Sequence, residues 1–509
     1  MALATNSEYF DVVIVGAGLS GVGAAYHLQD RCPDKSYVIL EGRDSMGGTW
    51  DIFRYPGIRS DSDMYTLGYG FKPWLESKAI ADGPSILRYV RETAAENDID
   101  KNIRYGHQVK KATWSSNDAA WTIEAQRKDN AETTQIRCNS ILMCSGYYSY
   151  ENGHTPEFAG RERFGGEVIH PQEWPEKLDC RDKKIVVIGS GATAVTLIPK
   201  LADKARHVIM LQRSPTYMVS APDEDWIANF LRKILPQKTA YAITRWKNIR
   251  FQQMVYRRTR TAPAKVKKKL LNMLRKELGP DYDIEKHFTP RYDPWDQRLC
   301  LVPNSDFFEA VNSGKASIIT DHIGTFTEKG ILLKSGEELD ADIIITATGL
   351  NLVVLGGAEF VVDGEFVDFS KSFSYKAMMY SDVPNLVSTF GYINASWTLR
   401  ADLTAVYFCR LLTHMDKTGF RQCTPRLDDA QRSMPAKDWI TAFSSGYMQR
   451  AMHLLPKQGD RAPWLNTQNY DQDKKMIRGE AIDDGVLSFS NPEQGSAESG
   501  SRQFESNAA

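Results

Sequence analysis

Seven cysteines are scattered through 509 residues, odd in number and without a C-x-x-C pair. That excludes a disulfide framework, a cysteine zinc site and a dithiol reductase, and it points to a reducing, cytoplasmic compartment. No G-x-S-x-G occurs, so a hydrolase nucleophile elbow has no support. The net charge is −1, which leaves no overall field to attract nucleic acid. Met1 to Tyr9 is polar and lacks a cationic stretch, so no secretory signal is expected. The apolar run Val12 to Ala25 is broken by four glycines and does not read as a membrane span. With 42% hydrophobic and 25% charged residues, the chain has the composition of a globular protein of two or three domains.

What is present falls into two similar units. Phe10-Asp-Val-Val-Ile-Val15 is a short apolar run, the pattern of a strand buried on both faces of a parallel sheet. Gly16-Ala-Gly18-Leu-Ser-Gly21 follows at once, then a helix-spaced segment to Gln29 and a second strand, Tyr37 to Leu40, ending at Glu41. In such a unit Gly16 makes the tight turn, Gly18 admits a pyrophosphate to the backbone, and Gly21 lets helix pack on strand. The helix N-terminus faces the phosphates, and Glu41 is placed to accept hydrogen bonds from a ribose. The glycines alone are weak evidence; strand, helix, second strand and acid in this order predict a nucleotide site.

Lys184-Ile-Val-Val-Ile188-Gly189-Ser-Gly191-Ala-Thr193-Ala194 repeats the pattern, with Ala194 in the third glycine's place, a variant the fold accepts. Its second strand, Val208 to Leu211, runs into Gln212-Arg213-Ser214. An acid there would repel a ribose 2′-phosphate, whereas an arginine pairs with it bidentately. The second unit is therefore expected to bind NADPH, through Gly189, Gly191, Thr193, Arg213 and Ser214. The first is expected to bind FAD.

Just past the first unit, Gly47-Gly48-Thr-Trp50 admits a flat ring system that Trp50 is placed to cover. Asp61 comes next, although Asp61-Ser-Asp63 before Met64 reads equally well as a helix cap. Between the units lies Phe164-Gly-Gly166-Glu-Val-Ile-His170-Pro-Gln-Glu-Trp174-Pro175. His170 by itself reads as a hydrogen-bonded linker histidine. No histidine or cysteine near it has metal-ligand spacing, so no metal is assigned.

That last stretch, F-x-G-x-x-x-H-x-x-x-W-P, resembles the fingerprint of type I Baeyer–Villiger monooxygenases, within the class B flavin monooxygenases. Gly47, Gly48, Trp50, Tyr55, Pro56, Gly57 and Asp61 match a second signature of that family, GGxWxxxxYPGxxxD. The resemblance runs from about residue 9 to 470 and implies an α/β fold with two Rossmann-like dinucleotide-binding domains. Residues 1–150 and 351–478 would be the two segments of a FAD domain, and 151–350 an NADPH domain carrying a helical insertion at about 222–296. It further implies that O₂ and a small ketone or sulfide are substrates, through a C4a-peroxyflavin. Arg298 would be the flavin-facing arginine and Asp61 the acid that holds it. Trp174 favours ketone oxidation, since heteroatom oxygenators of the family carry Tyr or Phe there. Loops bearing Trp397 and Trp464 are expected near flavin and substrate. Gln297 departs from the pattern, because relatives often have Lys before the arginine. Two dinucleotide units also fit a flavin reductase or an oxidase that releases H₂O₂.

Two regions remain. Trp226 to Lys276 holds fifteen Lys and Arg and no acid, with apolar residues at helical spacing. It reads either as helices packing an apolar stripe on the body, or as a basic amphipathic surface for anionic lipid. Nucleic acid is not expected, as no reading motif accompanies the charge. From residue 479 to 509 the chain is rich in Ser, Gly, Glu and Asn and is expected to be disordered.

Overall fold

The computed structural model describes residues 8–492. The predicted strand Glu8–Val15 lies inside a nine-stranded sheet, parallel to Tyr37–Leu40 on one side and to Thr133–Met143 on the other. Val12, Val13 and Ile14 are fully buried, as a strand covered on both faces requires. Alternating segments further along the chain, such as Ala120-Trp-Thr-Ile-Glu-Ala125, join this sheet as antiparallel strands. Thr133–Met143 pairs antiparallel with Ala120–Arg127, and that strand with His107–Ser115. Leu386–Ser388 returns to the same sheet beside Thr133–Met143, so the chain completes the first layer after leaving it.

The second layer is a five-stranded, wholly parallel sheet. Its order is Ala316–Thr320, His207–Gln212, Lys184–Ile188, Ile343–Thr346 and Glu167–Ile169. The linker fingerprint thus supplies its edge strand. The chain passes from the first sheet to the second through Tyr148–Gly153 and back through Leu350–Leu352, and these two segments pair antiparallel as one ribbon. Two Rossmann-like units in a mixed α/β chain are what the glycine patterns predict.

The insertion forms three helices, Trp226–Ile234, Gln237–Thr261 and Pro263–Leu278. They leave and re-enter the second half between the parallel pair Tyr217–Ala221 and Leu299–Pro303. The last helix buries Leu270, Leu271 and Leu274, as a body-packed stripe should. The first turns its stripe the other way: Trp226, Phe230 and Ile234 are exposed.

The expectation of disorder from residue 479 needs correction as far as residue 492. Leu487–Ser490 pairs antiparallel with Gln422–Pro425. The reason is electrostatic. Lys376 is 1% exposed, and its Nζ needs the Asp484 carboxylate, 3.1 Å away; the Tyr375 hydroxyl also donates to Asp484, at 2.6 Å. Residues 493–509 lie outside the described residues.

Candidate active site

The first glycine turn is shaped by what its neighbours forbid. Gly16 has φ +103°, and a side chain there would meet the Cys144 carbonyl oxygen at 2.6 Å. A methyl on Gly21 would run into the Gly16 carbonyl oxygen. Gly48, at φ +54°, lies against Gly18, and a Cβ on it would stand 3.2 Å from the Gly18 Cα. The two backbones therefore form a cradle without side chains. The helix Leu19–Arg31 starts at Gly18 with no capping side chain, so its first N–H groups remain available for an anion. This arrangement fits a dinucleotide. Glu41 is 1% exposed and braces the turn, accepting the Ala17 N–H at 2.8 Å and the Arg43 N–H at 2.9 Å. Burial raises its pKa, with those two amides opposing the rise.

A cavity of about 310 Å³ opens beside the cradle. Gly18, Gly48 and Trp50 line it from the first unit, and Thr193 with Thr196 from the second dinucleotide helix, Ala192–Ala202. Asp61, Arg298, Tyr147 and Trp397 complete it. The first unit and the helix of the second thus border one space. Thr193 faces Tyr55, whose pKa is pushed up to about 12 by burial, the Thr193 contact opposing the rise.

Arg298 is fixed by its own bonds. It donates to the Ile393 carbonyl at 2.9 Å, and its guanidinium stands 5.8 Å from the centre of the Phe443 ring. Burial disfavours its charge, but Tyr447, Asp61, Tyr147 and Tyr148 outweigh that and raise its pKa above the ordinary arginine value. The cation is thus permanent. No Arg298–Asp61 ion pair within 4 Å occurs among the described residues, so Asp61 acts on the arginine through space and not as its anchor. The helix-cap reading is settled two residues along. Asp63 is the N-cap of Met64–Leu67 and accepts the Thr66 N–H at 3.1 Å, which leaves Asp61 exposed toward the cavity.

Arg213 and Ser214 are exposed at the end of His207–Gln212. The Ser214 carbonyl accepts the Ser190 hydroxyl at 2.9 Å, which ties them to the turn Gly189–Gly191. Gly189 has φ +135°, while a Cβ on Gly191 would meet nothing within 4 Å. Gln212 points inward and donates to the His287 carbonyl and the Thr320 hydroxyl, both at 2.8 Å.

None of the linker fingerprint residues lines the cavity. Phe164 is buried under the second sheet, where a methyl on Gly166 would press its ring, and Trp174 packs on that sheet's other core. His170 shares a hydrogen bond with the Gly349 carbonyl through Nε2 at 3.0 Å, and its Nδ1 accepts the Gln172 N–H at 3.2 Å. It therefore grips the return crossing next to the ribbon.

The two tryptophans separate. Trp397 lines the cavity and donates to the Ser20 hydroxyl at 2.7 Å. Trp464 does not approach it. Fully buried, it packs edge-on to Phe373 and Tyr375 and donates to the Gln431 side-chain oxygen at 3.1 Å, so it is a core residue. The tyrosines around Arg298 were missed; their signal was Gly146-Tyr147-Tyr148, directly after a strand that runs into a glycine.

Two glycine-turned units meeting at one cleft define a two-dinucleotide α/β protein. Residues 79–355 match the family model for flavin-binding monooxygenase-like proteins, and residues 14–90 that for NAD(P)-binding Rossmann-like domains. The chain is 53% identical over 485 residues to the FAD-containing monooxygenase EthA of Mycolicibacterium smegmatis, covering 95% of this chain and 97% of that protein. It is 54% identical over 487 residues to EthA of Mycobacterium tuberculosis, with 95% and 98% covered. Among solved structures, an oxidized steroid monooxygenase bound to NADP superposes with a TM-score of 0.77 at 20% identity, over 95% of this chain and all of that one. An OTEMO complex with FAD and NADP gives 0.73 at 20% identity, with 95% and 100% covered. These two show the shared fold. The chain belongs to the flavin-binding monooxygenase-like family.

Proposed function

We propose that the protein is an NADPH- and O₂-dependent monooxygenase that inserts oxygen beside a ketone carbonyl, giving an ester or lactone, and also oxygenates sulfides or thioamides. One observation carries this reading: a fixed, permanently charged Arg298 and an exposed Asp61 border the same cavity as the Gly18–Gly48 cradle. FAD would lie along Gly16, Gly18, Gly21 and Gly48 in the discontinuous domain formed by residues 1–150 and 351–478. NADPH would lie along Gly189, Gly191, Thr193, Arg213 and Ser214 in 151–350. When bound, FAD supplies the acceptance of hydride from NADPH and the activation of O₂.

The residues supply position and charge. Arg298, oriented by Ile393 and Phe443, stabilises negative charge developing on the oxygen of an attacked carbonyl. Asp61 supports that cation without a direct bond, which leaves all its outward N–H groups for the reacting oxygens. Trp50 and Trp397 wall the cavity with apolar surface, which keeps water away and strengthens the electrostatic effect.

The test is product analysis with a panel of cyclic ketones and sulfides, alongside NADPH consumption and H₂O₂ release. Ester or lactone formed in step with NADPH supports the proposal. Stoichiometric H₂O₂ whatever substrate is offered would instead establish an oxidase. Sulfoxide without any ester would restrict the chemistry to heteroatoms. Arg298→Ala is expected to retain flavin while ester formation falls roughly 10²–10³-fold. Full ketone oxidation by that variant would remove Arg298 from the mechanism.

A further inference from the structure

Half of the exposed large apolar side chains in the described residues are gathered in two neighbouring helices, seven of fourteen between Trp226 and Met254. Single exposed apolar residues are ordinary, but a bunched set marks an interaction surface. On Trp226–Ile234 they are Trp226, Phe230 and Ile234, four residues apart and 75%, 55% and 58% exposed. On Gln237–Thr261, Trp246, Phe251 and Met254 are 63%, 60% and 52% exposed. Four-residue spacing makes one apolar stripe of the first set, while on the longer helix the exposed apolar side chains are interspersed with cations over a broad face.

This face is held outward by bonds on the inner side. Arg245 donates to the carbonyls of Tyr65 at 2.8 Å and Gly68 at 2.7 Å, and Asn248 donates to the Asp63 carboxylate at 2.9 Å. Lys247 and Arg250 find Asp225 and Asp471. Lys233, Lys238, Arg257 and Arg258 are exposed and enter no ion pair among the described residues.

We propose that these two helices dock the protein peripherally on a bilayer that carries anionic lipid. Tryptophan and phenylalanine settle at the boundary of headgroups and acyl chains, while lysine and arginine meet the phosphates. A second copy is the weaker occupant, because a two-fold contact would set a segment with fifteen Lys and Arg, and no acid of its own, against itself, cation to cation. No helix in the described residues is long and apolar enough to cross a membrane, so the contact stays at the surface.

The experiment is cosedimentation of the flavin-loaded protein with vesicles of equal parts phosphatidylglycerol and phosphatidylcholine, and with phosphatidylcholine alone, at low and high salt. Binding to the anionic vesicles is expected to be at least about tenfold tighter and to weaken with salt. The double variant Trp226→Ser/Trp246→Ser is expected to lose about tenfold or more, and Arg257→Glu/Arg258→Glu at least about fivefold per position. Both alter exposed side chains away from the cavity, so NADPH turnover should be unchanged. Equal binding to both vesicle types, or full retention by both variants, overturns the proposal. So does a concentration-dependent dimer, seen by light scattering and broken by the same variants, which would assign the face to a second copy.

Discussion

The two dinucleotide units begin alike and end differently. In the first, the third glycine is compulsory, because Gly21 touches the carbonyl of its own turn. In the second, Ala194 occupies the equivalent position and is fully buried without conflict. The first closes on Glu41, sealed inside with both carboxylate oxygens on backbone amides. The second closes on a buried Gln212 and then places Arg213 and Ser214 in solvent. The first unit is built as core and the second as an open rim. That is the division expected of one nucleotide that stays and another that comes and goes.

The sharpest way to break this comparison is a methyl in each turn. Gly21→Ala is expected to cost about 3 kcal/mol or more, by overpacking against rigid backbone, and to yield protein with little flavin. Gly191→Ala, with open space around it, is expected to melt within a few degrees of the parent. Flavin absorbance per chain and a thermal melt read both; equal damage would show the units to be alike after all. A smaller effect follows at the rim. Arg213→Ala is expected to raise the KM for NADPH roughly tenfold to a hundredfold and to leave that for NADH nearly unchanged. A parent enzyme already reduced faster by NADH would end that reading of Arg213.

The smallest effect concerns the joint between the units. Burial holds the His170 imidazole below its ordinary pKa of 6.5, and its two bonds suit a neutral ring with the proton on Nε2. A folded-state pKa below the unfolded one means that protonation favours unfolding. The stability it contributes is present above about pH 6.5 and is lost progressively as pH falls from there through the lower folded-state pKa. Thermal melts between about pH 7 and pH 5.5 should therefore slope more steeply for the parent than for His170→Asn. Parallel slopes would show that the ring is free to charge.

Both units were legible in the sequence because close backbone approach permits few residues other than glycine. The loop tryptophans were not. Trp397 and Trp464 look the same in the chain, and only tertiary packing puts one on the cavity and the other in the core. Asp61 and Asp63 were ambiguous for a related reason: spacing shows that a cap is near but not which acid forms it. The insertion's periodicity revealed apolar faces without their direction, so the outward stripe of Trp226, Phe230 and Ile234 could not be distinguished from a packed one. Composition also misjudged residues 480–492, where one buried lysine recruits a polar segment into order.

The long helix Gln237–Thr261 belongs to the second half by sequence, yet Arg245 bolts it to the first. The crossing ribbon fastens the same two halves somewhere else. Arg59 of the first half also pairs with Asp306 of the second, and Arg298 of the second half donates to the Ile393 carbonyl of the first. Fastenings at four separate places leave no free axis between the halves. The separation of Asp61, on one side, and Arg298, where the insertion rejoins the other, is then a property of the whole joint and not of any one bond.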